Sequence, residues 1–259
     1  MAKIYTNKNV LEAALERYDI IFNEFNHIYL SVSGGKDSSV MLQLAARKAR
    51  EHTKKIDILF IDLEAQYQAT MAHIEELLDV CSDVIGTVYW VCLPISLRNA
   101  VSVLQPKWIC WDQADQDKWI RPMPENKWVI NEKNCPWDWF RHGMEFEELT
   151  PLFGQWYAEL HGEPCACGIG IRSDESLNRF RTIISDSKTP YKGYRWTTRG
   201  KVGTKFTNTY HFFPLYDWRT EDIWGAVSWL DLRFNQIYEL MYKNGLSIHE
   251  QRLCQPYGD

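Results

Sequence analysis

Between Asn9 and Leu93 the apolar residues repeatedly switch between helical and extended spacing, and this alternation constrains the fold more than any other feature. Behind Asn9, a predicted N-cap, Leu11, Ala14, Leu15, Tyr18, Ile21, Phe22 and Phe25 recur at three- and four-residue steps. Ile28-Tyr29-Leu30-Ser31-Val32 is a short β-prone run with no polar face, as in a buried strand. A helix with Val40, Met41, Leu44 and Ala45 follows, then a strand over Ile56–Asp62, a helix over Thr70–Cys81 and a strand over Val84–Leu93. Short loops between alternating helices and strands predict an α/β fold with a parallel sheet and right-handed crossovers, a Rossmann-like sandwich.

From about residue 106 to 151 no period is sustained, and eight of the twelve tryptophans lie between Trp90 and Trp156. This stretch reads as a Trp-rich subdomain inserted into one domain spanning 1–259, packed by its aromatics; exposed pairs such as Trp137 and Trp139 are an alternative partner surface. Periodicity resumes with helices over Phe153–His161, Glu175–Ser185, Glu221–Leu230 and Phe234–Asn244 and a strand over Ala166–Ile171. The N-terminus lacks the apolar stretch of a signal peptide and no apolar run is long enough to span a membrane, so a cytoplasmic protein is expected. A net charge of −5 gives no global attraction to nucleic acid or anionic lipid. Arg172–Lys205 nevertheless carries nine Lys/Arg against three Asp/Glu. Its cations, with Phe180, Tyr191, Tyr194, Trp196 and Phe206 among them, read as a solvated face first, a loop over the phosphate end second, and a nucleic-acid surface third.

Chemistry concentrates in Ser33-Gly34-Gly35-Lys36-Asp37-Ser38-Ser39, at the junction of a predicted strand and helix. Two glycines allow positive φ and leave backbone N–H groups uncovered for an oxyanion. The following helix adds unpaired N–H groups and the positive end of its dipole. Ser33, Ser38 and Ser39 offer hydroxyl donors and Lys36 a compact positive charge. Asp37 beside an anion makes sense if it caps the helix or supports a magnesium ion shared with phosphates. The glycine–lysine spacing is not that of the P-loop NTPases.

The segment does match the S-G-G-x-D-S pattern of the PP-loop superfamily, which covers N-type ATP pyrophosphatases and sulfonucleotide reductases. Phe60-Ile61-Asp62 resembles the F-[IV]-[DN] of the PAPS (phosphoadenosine phosphosulfate) reductase family, where that loop lies near the adenosine. Gly170-Ile171-Arg172-Ser173-Asp174-Glu175-Ser176, with Arg179, resembles its G-x-R-x-x-[EQ]-S-x-x-R stretch. Pro214–Trp218 with Asp222-Ile223-Trp224 is similar to its P-x-x-D-W-x-x-x-D-[VI]-W, and Asn235–Tyr238 to the N-x-x-Y that follows. Leu93–Ala100 and Trp108–Asp112 resemble a subgroup related to IbrA, a bacterial and phage-borne regulator.

The resemblance implies an adenine nucleotide alpha hydrolase-like fold binding ATP or PAPS. The expected class is an enzyme that performs Mg²⁺-dependent chemistry at the α-phosphate and releases pyrophosphate; a non-enzymatic nucleotide-dependent regulator and a sulfur-modification enzyme acting on nucleic acid are alternatives. The nucleotide would meet Ser33, Gly34, Gly35, Lys36, Asp37, Ser38 and Ser39, with Asp62 and Leu63 near the adenosine. Gly170, Arg172, Glu175, Ser176 and Arg179 would sit at the reactive end. Lys36, Asp37 and Arg172 would carry the catalysis, and Asp37 would hold Mg²⁺. Independently of any family, Arg172 follows a strand's carboxyl end and offers a bidentate fork for phosphate or sulfate, and Glu175 can pair with Arg179 four residues on.

The reductase stretch E-C-G-x-H is absent. Cys254 is the late cysteine, and a thiol from it or from a partner protein is the alternative route to PAPS reduction. The paired-cysteine iron–sulfur pattern is also absent, so no such cluster is expected. Cys165 and Cys167 with His161 fall short of the four ligands of a structural zinc site and read as buried strand cysteines. The partners expected are an adenine nucleotide and either a partner protein or a further C-terminal domain; nucleic acid is less favoured and a membrane is not expected.

Overall fold

The computed structural model of the chain describes residues 7–99, 102–185 and 188–253. The elements run α1 (Val10–Glu24), β1 (Ile28–Ser31), α2 (Lys36–Glu51), β2 (Ile56–Ile61), α3 (Gln68–Val80) and β3 (Ile85–Val91). The middle of the chain supplies β4 (Ile95–Arg98), β5 (Lys107–Ile109), a 3₁₀ turn over Gln113–Lys118, β6 (Val129–Ile130) and β7 (Met144–Glu145). Then come α4 (Phe146–His161), β8 (Cys165–Ile169), α5 (Leu177–Ile184), β9 (Thr197–Val202), β10 (Lys205–Phe212), α6 (Thr220–Trp229) and α7 (Ile237–Lys243).

One sheet has the order β6-β3-β2-β1-β8-β10-β9, parallel throughout except for the antiparallel β9–β10 pair. The chain steps from β1 to β2 to β3, then crosses back to lay β8 on the other side of β1. Strand order therefore reverses between β1 and β8, and open α/β sheets bind ligands beyond the strands' carboxyl ends at such a reversal. Both faces are covered. Tyr29 of β1 packs on Phe153 and Tyr157 of α4 at 5.1 and 4.8 Å between ring centroids. On the other face Phe212 of β10 meets Tyr18 of α1 at 6.0 Å, and the Tyr18 hydroxyl donates to the Met41 carbonyl of α2.

Asn9 caps α1 as its sequence predicts, through a reciprocal box with Glu12: Glu12 N–H donates to Asn9 Oδ1 at 2.9 Å and Asn9 N–H to Glu12 Oε2 at 3.2 Å. The Pro214–Trp218 motif proves to be a fastener for this helix. Arg17 donates to both Asp217 carboxylate oxygens at 2.8 and 2.6 Å and to the Pro214 carbonyl at 2.7 Å. Trp218 Nε1 donates to the Val10 carbonyl at 3.0 Å. Asp222 accepts from the Arg219 N–H and so closes the start of α6.

One expectation is corrected. Helix α4 starts at Phe146 rather than Phe153 and carries Pro151 inside it, because Leu149 and Phe153 on one face are both fully buried. Of the cations in the basic stretch, Lys188, Lys192 and Arg195 lie in the bends and turns ahead of β9, where Lys192 pairs with Glu24 at 2.5 Å. Arg199 and Lys201 lie in the β9–β10 hairpin at the sheet edge, where Arg199 donates to the Thr207 carbonyl and the Asn208 side chain. Trp137 and Trp139 stack on each other at 5.1 Å, and Trp137 packs edge-on against Phe153 and Trp156, so it is packed by aromatics as the first reading expects rather than forming a partner surface.

Gly168, between β1 and β10, shows how tightly the reversal point is packed. A Cβ there would run into Leu30 Cδ2 and stand 2.9 Å from Phe212 Cζ. Gly168→Ala is expected to destabilise the protein by about 1–3 kcal/mol through overpacking. Denaturant titration checks this; an unchanged midpoint would mean the sheet gives way there.

Candidate nucleotide site

The glycine loop joins β1 to α2 at the carboxyl edge of the reversal point. Gly34 takes φ +75°, which favours glycine, and a Cβ on it would stand 2.7 Å from Thr70 Cγ2 of α3. Gly35 is the N-cap of α2 without a side-chain cap, so Asp37 does not cap this helix as one reading of the sequence allows. The loop is held from inside. Ser38 Oγ accepts from the Ser33 N–H at 3.2 Å, lies 3.2 Å from Ser33 Oγ, and donates to the Gly35 carbonyl at 3.0 Å. Ser39 is fully buried; its hydroxyl donates to the Gly35 carbonyl at 2.9 Å and lies 2.8 Å from His73 Nε2. Ser39 therefore braces the loop from inside.

Lys36 is buried, and both its backbone N–H and its ammonium make hydrogen bonds. Its backbone N–H donates to the Tyr238 hydroxyl at 3.1 Å and its ammonium to the Gln251 carbonyl at 3.2 Å. Burial draws the Lys36 pKa down, opposed by the neighbouring Asp37 carboxylate and reinforced by the positive charge of Arg172. Asn235 is fully buried and donates through Nδ2 to the Gly34 carbonyl at 3.2 Å and to Thr70 Oγ1 at 2.9 Å. Asn235 and Tyr238 thus belong to the loop's surroundings. The N-x-x-Y spacing was the sequence signal for them, though it does not reveal which loop they serve.

Gly170 and Arg172 follow β8 next door. A Cβ on Gly170 would lie 3.1 Å from the backbone of Asp37 and Ser38, so this turn is pressed onto the start of α2. Arg172 is 2 % exposed, and its Nε donates to Asp37 Oδ1 at 2.6 Å. The other Asp37 oxygen lies 3.8 Å from Lys36 Nζ. Arg172 Nη1 is buried with no hydrogen-bond partner. A buried guanidinium N–H without an acceptor is costly, so this nitrogen marks where an anion would be most stabilised. Glu175 and Arg179 pair at 3.6 Å, while the Ser176 hydroxyl accepts from the Arg179 N–H and caps α5, a structural use of that residue. The Glu175 carbonyl accepts from Arg252 at 3.0 Å, which seats the segment around Gln251 over Lys36.

Asp62 and Leu63 leave the end of β2, on the other side of β1. Both are buried, and the Asp62 carboxylate is fully subscribed. It accepts from Trp90 Nε1 at 2.9 Å and from the Glu64 N–H at 3.0 Å, and pairs with Arg121. Trp111 Nε1 donates to the Asp62 carbonyl at 2.7 Å. Glu64, at φ 63°, accepts from the backbone N–H groups of Trp111 and Ile120 at 2.7 and 2.8 Å, and burial pushes its pKa up against those donors. The Trp-rich middle is thereby tied to the carboxyl end of β2, a linkage no local pattern announces.

Among the described residues no group of three His, Cys, Asp or Glu is arranged to hold a metal ion. Cys165 and Cys167 lie buried in β8, and burial pushes both thiols up to about 12. His161 stacks on His27 at 3.7 Å. Cys254 lies outside the described residues. No helix among the described residues is long and apolar enough to cross a membrane.

Residues 27–85 match the phosphoadenosine phosphosulfate reductase domain. That span contains β1, the glycine loop, α2 and the Asp62 turn. A curated relative, the uncharacterized protein YbdN of Escherichia coli (strain K12), is 37 % identical over 257 residues. The alignment takes in 99 % of this chain and 61 % of YbdN, so the chain spans about three-fifths of that relative's length. Among solved structures, a PAPS reductase from Candida auris in a phosphate complex aligns at 12 % identity and TM-score 0.46, over 93 % of this chain and 94 % of that one. FMN adenylyltransferase of Candida glabrata in complex with ATP aligns at 15 % identity and TM-score 0.49, over 91 % and 62 %.

Proposed function

We propose that the chain binds an adenine nucleotide, ATP or PAPS, with its phosphate end across the glycine loop and Arg172 and its adenosine towards the Asp62–Leu63 turn. The observation that carries this reading is the buried, unpartnered Nη1 of Arg172 beside a glycine-opened helix start. Lys36 and its backbone N–H, now given to the Gln251 carbonyl and the Tyr238 hydroxyl, are the donors for which phosphate oxygens would compete. Gly34 and Gly35 would supply backbone donors, with Ser33 and Ser38 at the rim.

The reaction we favour is attack on the α-phosphorus of ATP with pyrophosphate leaving, its charge stabilised by Lys36 and Arg172. Thiol-dependent reduction of PAPS has less support. Its thiol would come from Cys254 or a partner protein, since burial pushes the thiols of Cys110, Cys165 and Cys167 up to about 12 and that of Cys81 to about 11, the opposite of what a nucleophile needs. Asp37 is the partner of Arg172, so Mg²⁺ would come with the nucleotide's phosphates and use Asp37 only where that pair opens. The IbrA-like subgroup remains part of this proposal, carried by Leu93–Ala100 and Trp108–Asp112.

Equilibrium binding of ATP–Mg²⁺ and of PAPS to the full chain tests the reading, with products followed in parallel. Saturable binding of either nucleotide, weakened at least about tenfold in Lys36→Ala (about 1.4 kcal/mol), is expected. Release of AMP and pyrophosphate from ATP would establish the favoured reaction, and sulfite from PAPS the reductase. Failure of both nucleotides to bind would overturn the proposal.

A further inference from the structure

Helix α3 buttresses the glycine loop. A Cβ on Gly34 would stand 2.7 Å from Thr70 Cγ2 and 3.3 Å from Ile74 Cδ1. Between these two residues, His73 is 3 % exposed, and its Nε2 lies 2.8 Å from the Ser39 hydroxyl near the start of α2. Its other ring nitrogen, Nδ1, is buried without a hydrogen-bond partner and lies 3.6 Å from Glu76 Oε2.

Proton counting sets what this histidine can do. Ser39 has one hydroxyl proton and two acceptors for it, the Gly35 carbonyl at 2.9 Å and His73 Nε2. A neutral imidazole protonated on Nε2 leaves that hydroxyl to Gly35 but turns a bare Nδ1 lone pair towards the Glu76 carboxylate. Protonated on Nδ1 instead, it meets Glu76 but takes the Ser39 proton from Gly35. The imidazolium alone meets both: Nδ1–H faces Glu76, Nε2–H donates to Ser39, and Ser39 donates to Gly35. The Gly35 carbonyl shares one rigid peptide group with the Lys36 N–H, so whatever holds that oxygen also aims that donor. Burial opposes the charged form and draws the His73 pKa down, while the Glu76 carboxylate pulls the other way. The charged groups around it are Glu76 and Arg233, which follows α6 and reaches Glu76 Oε1 at 3.5 Å; α2 meets it with the neutral Ser39. Negative charge brought to the loop favours the imidazolium.

We infer that His73 is a positioning residue of the glycine loop: when phosphates settle there, it takes up one proton from solvent and, through Ser39, fixes the peptide that presents the Lys36 N–H. The inference rests on the nucleotide reading and adds a proton to it. The His73 pKa starts below the ordinary histidine value of about 6.5 and rises on binding, so affinity increases as pH falls through that interval. Stability runs the other way, because a histidine whose pKa is depressed by folding costs stability as pH falls. A His73 that only fills space would give no gain in affinity with acid.

The test measures binding of ATP–Mg²⁺ and of PAPS to the full chain from about pH 5.5 to 8, the range in which histidine titrates. Calorimetry in buffers of different ionisation enthalpy reads proton uptake alongside affinity. His73→Gln keeps a polar group near Ser39 that does not titrate, and the nucleotide's own titration cancels between the proteins. Wild type is expected to gain about threefold to tenfold in affinity towards acid, as a pKa rise of about half to one unit gives, with proton uptake. His73→Gln should show neither, and Glu76→Gln, a half-exposed position, should move the gain to lower pH. If His73→Gln does not fold, Glu76→Gln decides. No acid gain in wild type, the same gain in His73→Gln, or a gain unmoved in Glu76→Gln overturns the inference and leaves the nucleotide reading standing. If neither nucleotide binds at any pH, the nucleotide reading falls and this inference with it.

Discussion

Asp62→Ala is expected to destabilise the protein by about 3–5 kcal/mol, the range for breaking a buried ion pair by removing one partner. Asp62 is fully buried, and its carboxylate receives the indole N–H of Trp90, the N–H of Glu64 and the guanidinium of Arg121. Truncation strands all three donors and leaves Arg121, itself largely buried, without its counter-ion. For a chain of this size each kcal/mol moves the melting temperature by roughly 2–4 °C, so a loss of ten degrees or so is the expected reading. Asp62→Asn keeps an acceptor but not the charge and should fall between. The double variant Asp62→Ala/Arg121→Met should recover part of the loss, with a coupling above about 1 kcal/mol, because groups in one network are not additive. A single-variant loss below about 1 kcal/mol, or strict additivity in the cycle, would show that Arg121 and Asp62 do not depend on each other.

That network also shows what kind of information a single sequence carries. Asn9 and Glu12 are three residues apart, and the α1 cap is legible because both partners sit in one turn. The glycine loop is legible for the same reason: strand, glycines, lysine and helix follow one another without interruption. Arg121 is 59 residues from Asp62, Arg172 is 135 from Asp37, and Asn235 is 201 from Gly34. Periodicity reports which face of an element is buried, not what will lie against it. The family resemblance places Asp62 near the adenosine, but no local pattern announces that its carboxylate accepts from Trp90, Glu64 and, from the inserted segment, Arg121. The β9–β10 hairpin escapes for a related reason. Its edge strand keeps Arg199 and Lys201 beside aromatic rings, Lys201 Nζ at 4.5 Å from the Phe206 ring, so the stretch reads as charge before it reads as strand.

The second large effect concerns Arg172 and Asp37, whose pairing separates two ways for the loop to work. Arg172→Met removes the guanidinium whose Nη1 is buried without a partner, and with it the strongest anion donor at the crevice. Hydrogen bonds from a charged donor are worth about 1.5–3 kcal/mol, so nucleotide affinity is expected to fall roughly tenfold to a hundredfold. Arg172→Lys keeps the charge without the fork, cannot reach Asp37 and a phosphate together, and should recover little of the loss. Asp37→Asn tells the carboxylate's roles apart. If Asp37 orients Arg172, the amide oxygen still accepts from Nε, affinity changes by less than about threefold, and the magnesium dependence is unmoved. If Asp37 is a metal ligand, half-saturation by Mg²⁺ rises by tenfold or more at fixed nucleotide, because an amide is a far poorer ligand for a hard cation. The 2.6 Å contact between Arg172 and Asp37 favours the first outcome. Titrating Mg²⁺ against nucleotide binding in the wild type, Asp37→Asn and Arg172→Met decides it. A tenfold magnesium shift in Asp37→Asn with Arg172→Met unaffected would assign Asp37 to the metal and reduce Arg172 to its counter-ion.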